Sequence, residues 1–346
     1  MSLAATYVGP SRLRVRTLLI AVGVVLVTAV LSLVLGPASV DPWGAVLESI
    51  DRLPLVSIDS GLTDREAAIV WELRMPRLVL AGLVGATLAV AGGSYQGVFR
   101  NPLADPYLLG VAAGAGLGAT IAIVSNDTVA SIPPLAFLGA AVAVVLTYGM
   151  ARVGGRTRSG ATLILSGVAV AAFFTAMQTF LQQQNADTIR QVFSWILGRL
   201  STSGWGEVRL LLPYALVSWV VLLAHRRHLD VLAVGEEEAG SLGIDIGRVR
   251  LVVVLAATMG TAAAVAVSGL IGFVGIIVPH IIRLVTGPSH RRLLPLTIII
   301  GAGFLIVADL VARTAMSGGE LPIGVVTAFV GAPFFAFVLG TTARAS

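Results

Sequence analysis

Residues Thr17–Gly36 read TLLIAVGVVLVTAVLSLVLG, twenty positions without a charge. At about 1.5 Å per residue, a helix of that length covers the roughly 30 Å hydrocarbon core of a bilayer. Arg12, Arg14 and Arg16 precede the run, so it superficially resembles a secretory leader. Leader cores are shorter, roughly 7–15 residues, and end at a small-x-small cleavage site. This run ends at Gly36-Pro37, and the expectation is an uncleaved first membrane span.

Nine further apolar stretches follow, at approximately residues 78–98, 107–124, 132–151, 161–181, 209–224, 251–267, 270–286, 293–312 and 321–341. Composition agrees with them. The 346 residues are 56% hydrophobic and 12% charged, with mean hydropathy +0.93, whereas a soluble domain carries roughly 25% charged residues. Strand alternation is absent, and in lipid every backbone polar group must be satisfied internally, which leaves helices. The predicted fold is therefore all-α and integral to the membrane, one transmembrane domain over residues 1–346 with about ten spans. The segments at 107–124 and 270–286 are short and Gly-rich, so a broken or tilted helix is expected in each. Gly110, Gly114 and Gly118 recur every four residues, a small-residue ridge that lets helix backbones approach closely.

Charge sets the orientation. With ten spans, one side receives Arg12, Arg14, Arg16, Arg100, Arg152, Arg156, Arg158, Arg226, Arg227, Arg248, Arg250, Arg283, Arg291, Arg292 and Arg344, fifteen of the 23 Arg. The other side receives eight, together with the acidic 37–75 loop. The bias of basic residues towards the cytoplasm makes both termini cytoplasmic and that loop external.

The same residues exclude several function classes. Net charge is +5 and the isoelectric point near 10.4, but the Arg are scattered between apolar runs and form no stripe for nucleic acid. There is no Cys, hence no disulfide framework or thiolate site, and four dispersed His predict no metal site. Away from the span ends, Asp309 is the one clear acid, while ion-coupled carriers keep acids or His at mid-membrane. The chain has no Lys, and a P-loop needs one to reach nucleotide phosphates. Energy for active transport would have to enter through a partner. The loop from Leu232 to Arg250 offers a place for one: Glu236, Glu237 and Glu238 suit the positive end of a short helix, which Gly243 would terminate. A solvated amphipathic connector is the alternative.

Seven sequence blocks resemble one family. They are Arg74-Met-Pro-Arg77; Gln96 with Arg100-Asn-Pro-Leu-Ala-Asp-Pro106 and Leu109-Gly-Val111; the Gly-Glu-Glu loop; Gly272-Phe-Val-Gly275; Pro279-His-Ile-Ile-Arg283; Asp309-Leu-Val-Ala-Arg313; and Glu320-Leu-Pro-Ile-Gly324. In this order they resemble the FecCD-type permeases of ABC importers for iron-siderophore, haem and cobalamin. The resemblance implies a type II ABC importer permease bundle in a bacterial or archaeal inner membrane, paired with a second permease copy or paralogue. ABC ATPase subunits would bind below and an extracytoplasmic substrate-binding protein above, in membrane lipid and with no nucleic acid. It implies a ferric siderophore as cargo, with cobalamin or haem as alternatives and an ion-coupled secondary transporter as a distant one. No catalytic residue and no cofactor is expected, ATP being bound by the partner subunit.

Site residues follow by position. Arg74, Arg77 and Arg313 match external arginines that receive acidic residues of the binding protein, and a guanidinium fork suits carboxylate. The bland reading is interfacial anchoring, with an Asp309–Arg313 pair one helical turn apart. The cytoplasmic gate maps to Asn101, Leu103, Ser159 and Gly160, although Asn101-Pro102 is also an ordinary turn signal. ATPase coupling maps to Gly235, Glu236, Glu237, Glu238, Ala239, Ser241, Leu242 and Gly243. Gly240 departs from the Arg that many relatives carry. Gln178, Gln182, Gln183 and Gln184 are equally suited to wetting the pathway or to an interface.

Overall fold

The computed structural model describes residues 15–36, 38–52, 57–125, 131–153, 160–200, 204–316 and 319–343. Its helices in chain order are α1 (Val15–Val34), α2 (Pro42–Asp51), α3 (Asp64–Ala68), α4 (Met75–Phe99), α5 (Val111–Val124), α6 (Ile132–Val153) and α7 (Gly160–Gln184). They continue as α8 (Ile189–Ile196), α9 (Gly206–Val234), α10 (Glu236–Ser241), α11 (Ile246–Ser268), α12 (Val274–Thr286), α13 (His290–Thr314) and α14 (Ile323–Ala343). No strand occurs among the described residues.

Seven helical runs are long and apolar enough to cross a membrane, and α5, α12 and α14 supply three shorter apolar helices. Together these match the ten stretches read from the sequence. In α4 and α11, 78% and 72% of the apolar window is buried, against 17% in α1. Helix α1 therefore lies at the rim with its Leu and Val side chains turned outward, among them Leu19, Leu26 and Val27.

Close helix approach depends on glycine where α5 meets α6. A Cβ on Gly114 would lie 2.3 Å from the Gly139 carbonyl oxygen, and one on Gly118 would lie 2.0 Å from that of Leu135. Gly110, the third member of the predicted ridge, does something else. It adopts φ +78° and separates a 3-10 turn, Pro106–Leu109, from the start of α5. Several hydroxyl groups inside the bundle bond locally or across helices. Ser94 donates to the Val90 carbonyl at 2.8 Å, and the Tyr95 and Thr258 hydroxyls share a 2.5 Å bond joining α4 to α11. Such interhelical bonds contribute about 0.6–2 kcal/mol in a membrane.

Both segments expected to be broken are short. Helix α5 has 14 residues and α12 has 13, about 20 Å each and less than the hydrocarbon thickness. Their starts meet inside the bundle. The Tyr107 hydroxyl donates to the Ile271 carbonyl at 3.0 Å and accepts from the Ile271 amide at 3.1 Å. Non-helical backbone is tolerated at this depth only when other protein groups take its hydrogen bonds, and Tyr107 takes two.

The 37–75 stretch holds more structure than a loop reading predicts. Asp41 caps α2 through the Gly44 amide, with Pro42 as first residue, and Thr63 with Glu66 forms a capping box on α3. Helix α3 runs through a π-helical turn, Ile69–Arg74, directly into α4. Beyond the predicted 209–224 span, α9 continues ten residues to Val234.

Candidate transport site

The C-terminus of α1, the start of α4, the end of α13 and the approach to α14 gather at one end of the bundle. Arg74, at the last position of the π-helical turn, donates to the Leu33 carbonyl at 2.6 Å, to Val34 at 3.0 Å and to Ala38 at 2.5 Å. It thereby satisfies carbonyls that the end of α1 leaves without intrahelical partners. Arg77, in the first turn of α4, grips Asp309 of α13 through Nε (3.0 and 3.1 Å) and Nη2 (2.8 Å). Its outer edge meets both oxygens of Glu320, at 2.8 and 2.9 Å. Arg313 lies 3.6 Å from Asp309 Oδ2 and donates to the Ser32 carbonyl and hydroxyl of α1.

The three sequence-predicted arginines are thus brought together, and each has partners within the chain. Arg74 and Arg313 are buried, which fits the anchoring alternative for both. Arg77 alone presents an edge outward, through a carboxylate that is 46% exposed at Glu320. The buried Asp309 meets both the buried Arg313 and the partly buried Arg77, which makes that carboxylate the centre of the cluster.

Beside this end, α8 and the starts of α12 and α14 converge. The Gly324 amide donates to the Leu197 carbonyl at 3.0 Å, and the Arg199 amide donates to Ser268 at 2.8 Å. These bonds fix the rim of an apolar hollow of about 720 Å³, lined among others by Leu197, Leu270, Phe273, Val325, Phe329 and Pro333. Helix α8 was not anticipated as a helix. Its amphipathic pattern, with Val192 and Trp195 buried and Phe193 exposed, was the available signal.

The opposite end carries the predicted gate and coupling residues. The Asn101 side chain accepts from the Leu103 amide at 2.9 Å, and its carbonyl accepts from Ala104 at 3.0 Å. Asn101 therefore builds the turn that leads to Tyr107, while the Leu103 side chain is exposed. Ser159 lies outside the described residues, and Gly160 is the first residue of α7. Nearby, Gln96 ties α4 to α12: it donates to the Gly275 carbonyl at 3.0 Å and accepts from Arg283 at 2.8 Å. Both residues stand in the family-like blocks, but their pairing was not read from them.

The acidic loop forms the short helix expected of it. Gly243, at φ +78°, donates to the Gly240 carbonyl at 2.9 Å, and the Ile244 amide reaches Ala239 at 3.2 Å. This paired closure is the Schellman stop. Ala239 is buried, whereas Glu237, Glu238 and Ser241 are exposed and Leu242 projects with 71% of its surface free. Gly235 is the hinge between α9 and α10, and Glu236 is the first residue of α10. Asp245 then caps α11 by accepting from the Arg248 amide at 3.0 Å. The result is a compact acidic knob with one apolar tip.

Comparison with known proteins places this architecture. The profile of the FecCD transport family matches residues 20–341. The cobalamin import system permease protein BtuC of Halobacterium salinarum is 43% identical over 299 residues, covering 86% of this chain and 79% of its own. The Fe(3+) dicitrate transport system permease protein FecD of Escherichia coli is 37% identical, over 90% and 94% of the two chains. A solved structure described as an inward-facing metal-chelate type ABC transporter superposes with a TM-score of 0.83 at 30% identity, over 95% of this chain and 100% of that one. A profile match across nearly the whole chain, in a bundle with the same helices, leads to one conclusion: this chain belongs to the FecCD transport family, the permeases of ABC importers for metal chelates.

Proposed function

We propose that the chain forms half of the membrane pathway for a ferric siderophore, pairing with a second permease copy or paralogue. An external binding protein delivers the cargo, and separate ATPase subunits seat the α10 knob. The observation that carries this reading is the knob itself, an acidic, Schellman-closed helix with an exposed Leu242 in a chain that has no Lys for a nucleotide site of its own. The apolar hollow beside α8, α12 and α14 suits the wall of a pathway for a bulky chelate. Cobalamin is the second reading, favoured by the 43% and 41% identity of the cobalamin and vitamin B12 permeases of Halobacterium salinarum and Vibrio cholerae. Purifying the cognate binding protein and identifying the chelate it retains decides between them. Retention of a ferric siderophore supports the first, a corrinoid the second, and an amino acid or sugar contradicts both.

In this reading the α10 end is cytoplasmic and the arginine cluster external. The chain has no Cys, so single cysteines at Ser57→Cys and Ser346→Cys report the two faces. A membrane-impermeant thiol reagent added outside should label Ser57→Cys and leave Ser346→Cys unmodified. Labelling of Ser57→Cys only from the cytoplasm would reverse the orientation. Docking of the binding protein falls to Arg77, whose solvent edge is held by the half-exposed Glu320. An acidic side chain of the binding protein would exchange with Glu320, while Arg74 and Arg313 keep α1 and α13 in place around it.

A further inference from the structure

We propose that a cavity between α6, α7 and α11 binds a phosphate group, supplied by an anionic lipid headgroup or by free phosphate. It lies at the α10 end, remote from the arginine cluster and from the apolar hollow. Its volume is about 80 Å³, room for several waters or one tetrahedral oxyanion. The polar lining consists of Tyr148 and Arg152 from the last turns of α6, Thr162 from the first turn of α7 and Arg250 near the start of α11. No carboxylate is among the described residues that line it.

Three observations point to an anion. The Tyr148 hydroxyl is buried and has no hydrogen-bond partner. A buried donor left without a partner is unfavourable, and a phosphate oxygen would take that bond. Arg152 and Arg250 line the same small cavity as that hydroxyl, which places positive charge on its walls. Guanidinium forks match phosphate oxygens in pairs. The first turns of α7 and of the 23-residue α11 also border the cavity, adding the positive ends of two helices. Asp245 caps α11 at the Arg248 amide and does not line the cavity.

The surroundings suit a lipid. Val145 and Met150 on α6 and Leu165 and Val168 on α7 are exposed apolar side chains, so acyl chains can lie along the two helices next to the cavity. Leu163 and Leu251 supply apolar walls to the cavity itself. Basic residues at a membrane surface attract anionic headgroups.

Native mass spectrometry of the full chain in nanodiscs tests the assignment. One set of discs is phosphatidylcholine alone and the other is phosphatidylcholine with phosphatidylglycerol. Inorganic phosphate is titrated into the first set and followed by saturable ³¹P line broadening. Expected is retention of phosphatidylglycerol by the wild-type chain, reduced about tenfold by Tyr148→Phe or Arg152→Gln and kept by Arg152→Lys; tenfold corresponds to about 1.4 kcal/mol. Saturable phosphate broadening in phosphatidylcholine discs, lost in the same two variants, supports the free anion as source. Tyr148→Phe removes one oxygen and leaves the packing, so its folding provides the control. Equal retention and equal broadening in wild type, Tyr148→Phe and Arg152→Gln overturn the site, as does the absence of both signals in the wild type.

Discussion

Asp309→Asn is expected to destabilise the bundle by about 3–5 kcal/mol, the effect of removing one partner from a buried charge cluster. Asp309 is 1% exposed and accepts three hydrogen bonds from Arg77, with Arg313 3.6 Å from its Oδ2. Without the carboxylate, two guanidinium groups face each other in a region shielded from water. The change should appear as reduced yield of monodisperse protein and a lower denaturant midpoint in detergent. Adding Arg77→Gln to Asp309→Asn should recover part of the loss, because one uncompensated cation is removed with the acid. Glu320→Gln should cost less than about 1 kcal/mol, since that carboxylate is half exposed and solvent screens it. A wild-type midpoint for Asp309→Asn, or a larger effect from Glu320→Gln, would show that the cluster is not centred on Asp309.

Reversing the acidic knob is expected to have the largest effect on transport. Glu237→Arg combined with Glu238→Arg should reduce co-purification of the ATPase subunit and lower uptake about 100-fold or more. Like charges brought together at an interface cost several kcal/mol, and every 1.4 kcal/mol is about tenfold in affinity. Both side chains are exposed, and the stop at Gly243 is made by backbone amides. The fold should therefore survive, and an unchanged denaturant midpoint is the control. Unaltered co-purification and unaltered uptake would remove α10 from the coupling path.

The spans were legible because twenty uncharged residues in lipid have one solution. Even the two irregular spans carried a signal, the short Gly-rich runs at 107–124 and 270–286, which became α5 and α12 with their starts inside the bundle. What joins those starts was not legible, since Tyr107 and Ile271 are 164 residues apart in the chain. The arginine cluster shows the same limit. Residue type and position marked Arg74, Arg77 and Arg313 as special, but Arg77 meets Asp309 and Glu320 across 232 and 243 residues. Only the packing of α4 against α13 reveals that these cations are already paired. Helix α9 outran its apolar stretch because Arg226, Arg227 and His228 broke the hydropathy signal while remaining good helix positions. By contrast, the Thr63-x-x-Glu66 capping box is legible in the sequence even within an acidic loop.

The most direct measurement is uptake by proteoliposomes that hold the permease with its ATPase subunit, supplied outside with binding protein and a labelled chelate. Accumulation should require ATP and all three proteins, with none when the ATPase subunit is omitted. Accumulation by the permease alone, driven by a proton or sodium gradient without nucleotide, would contradict that requirement.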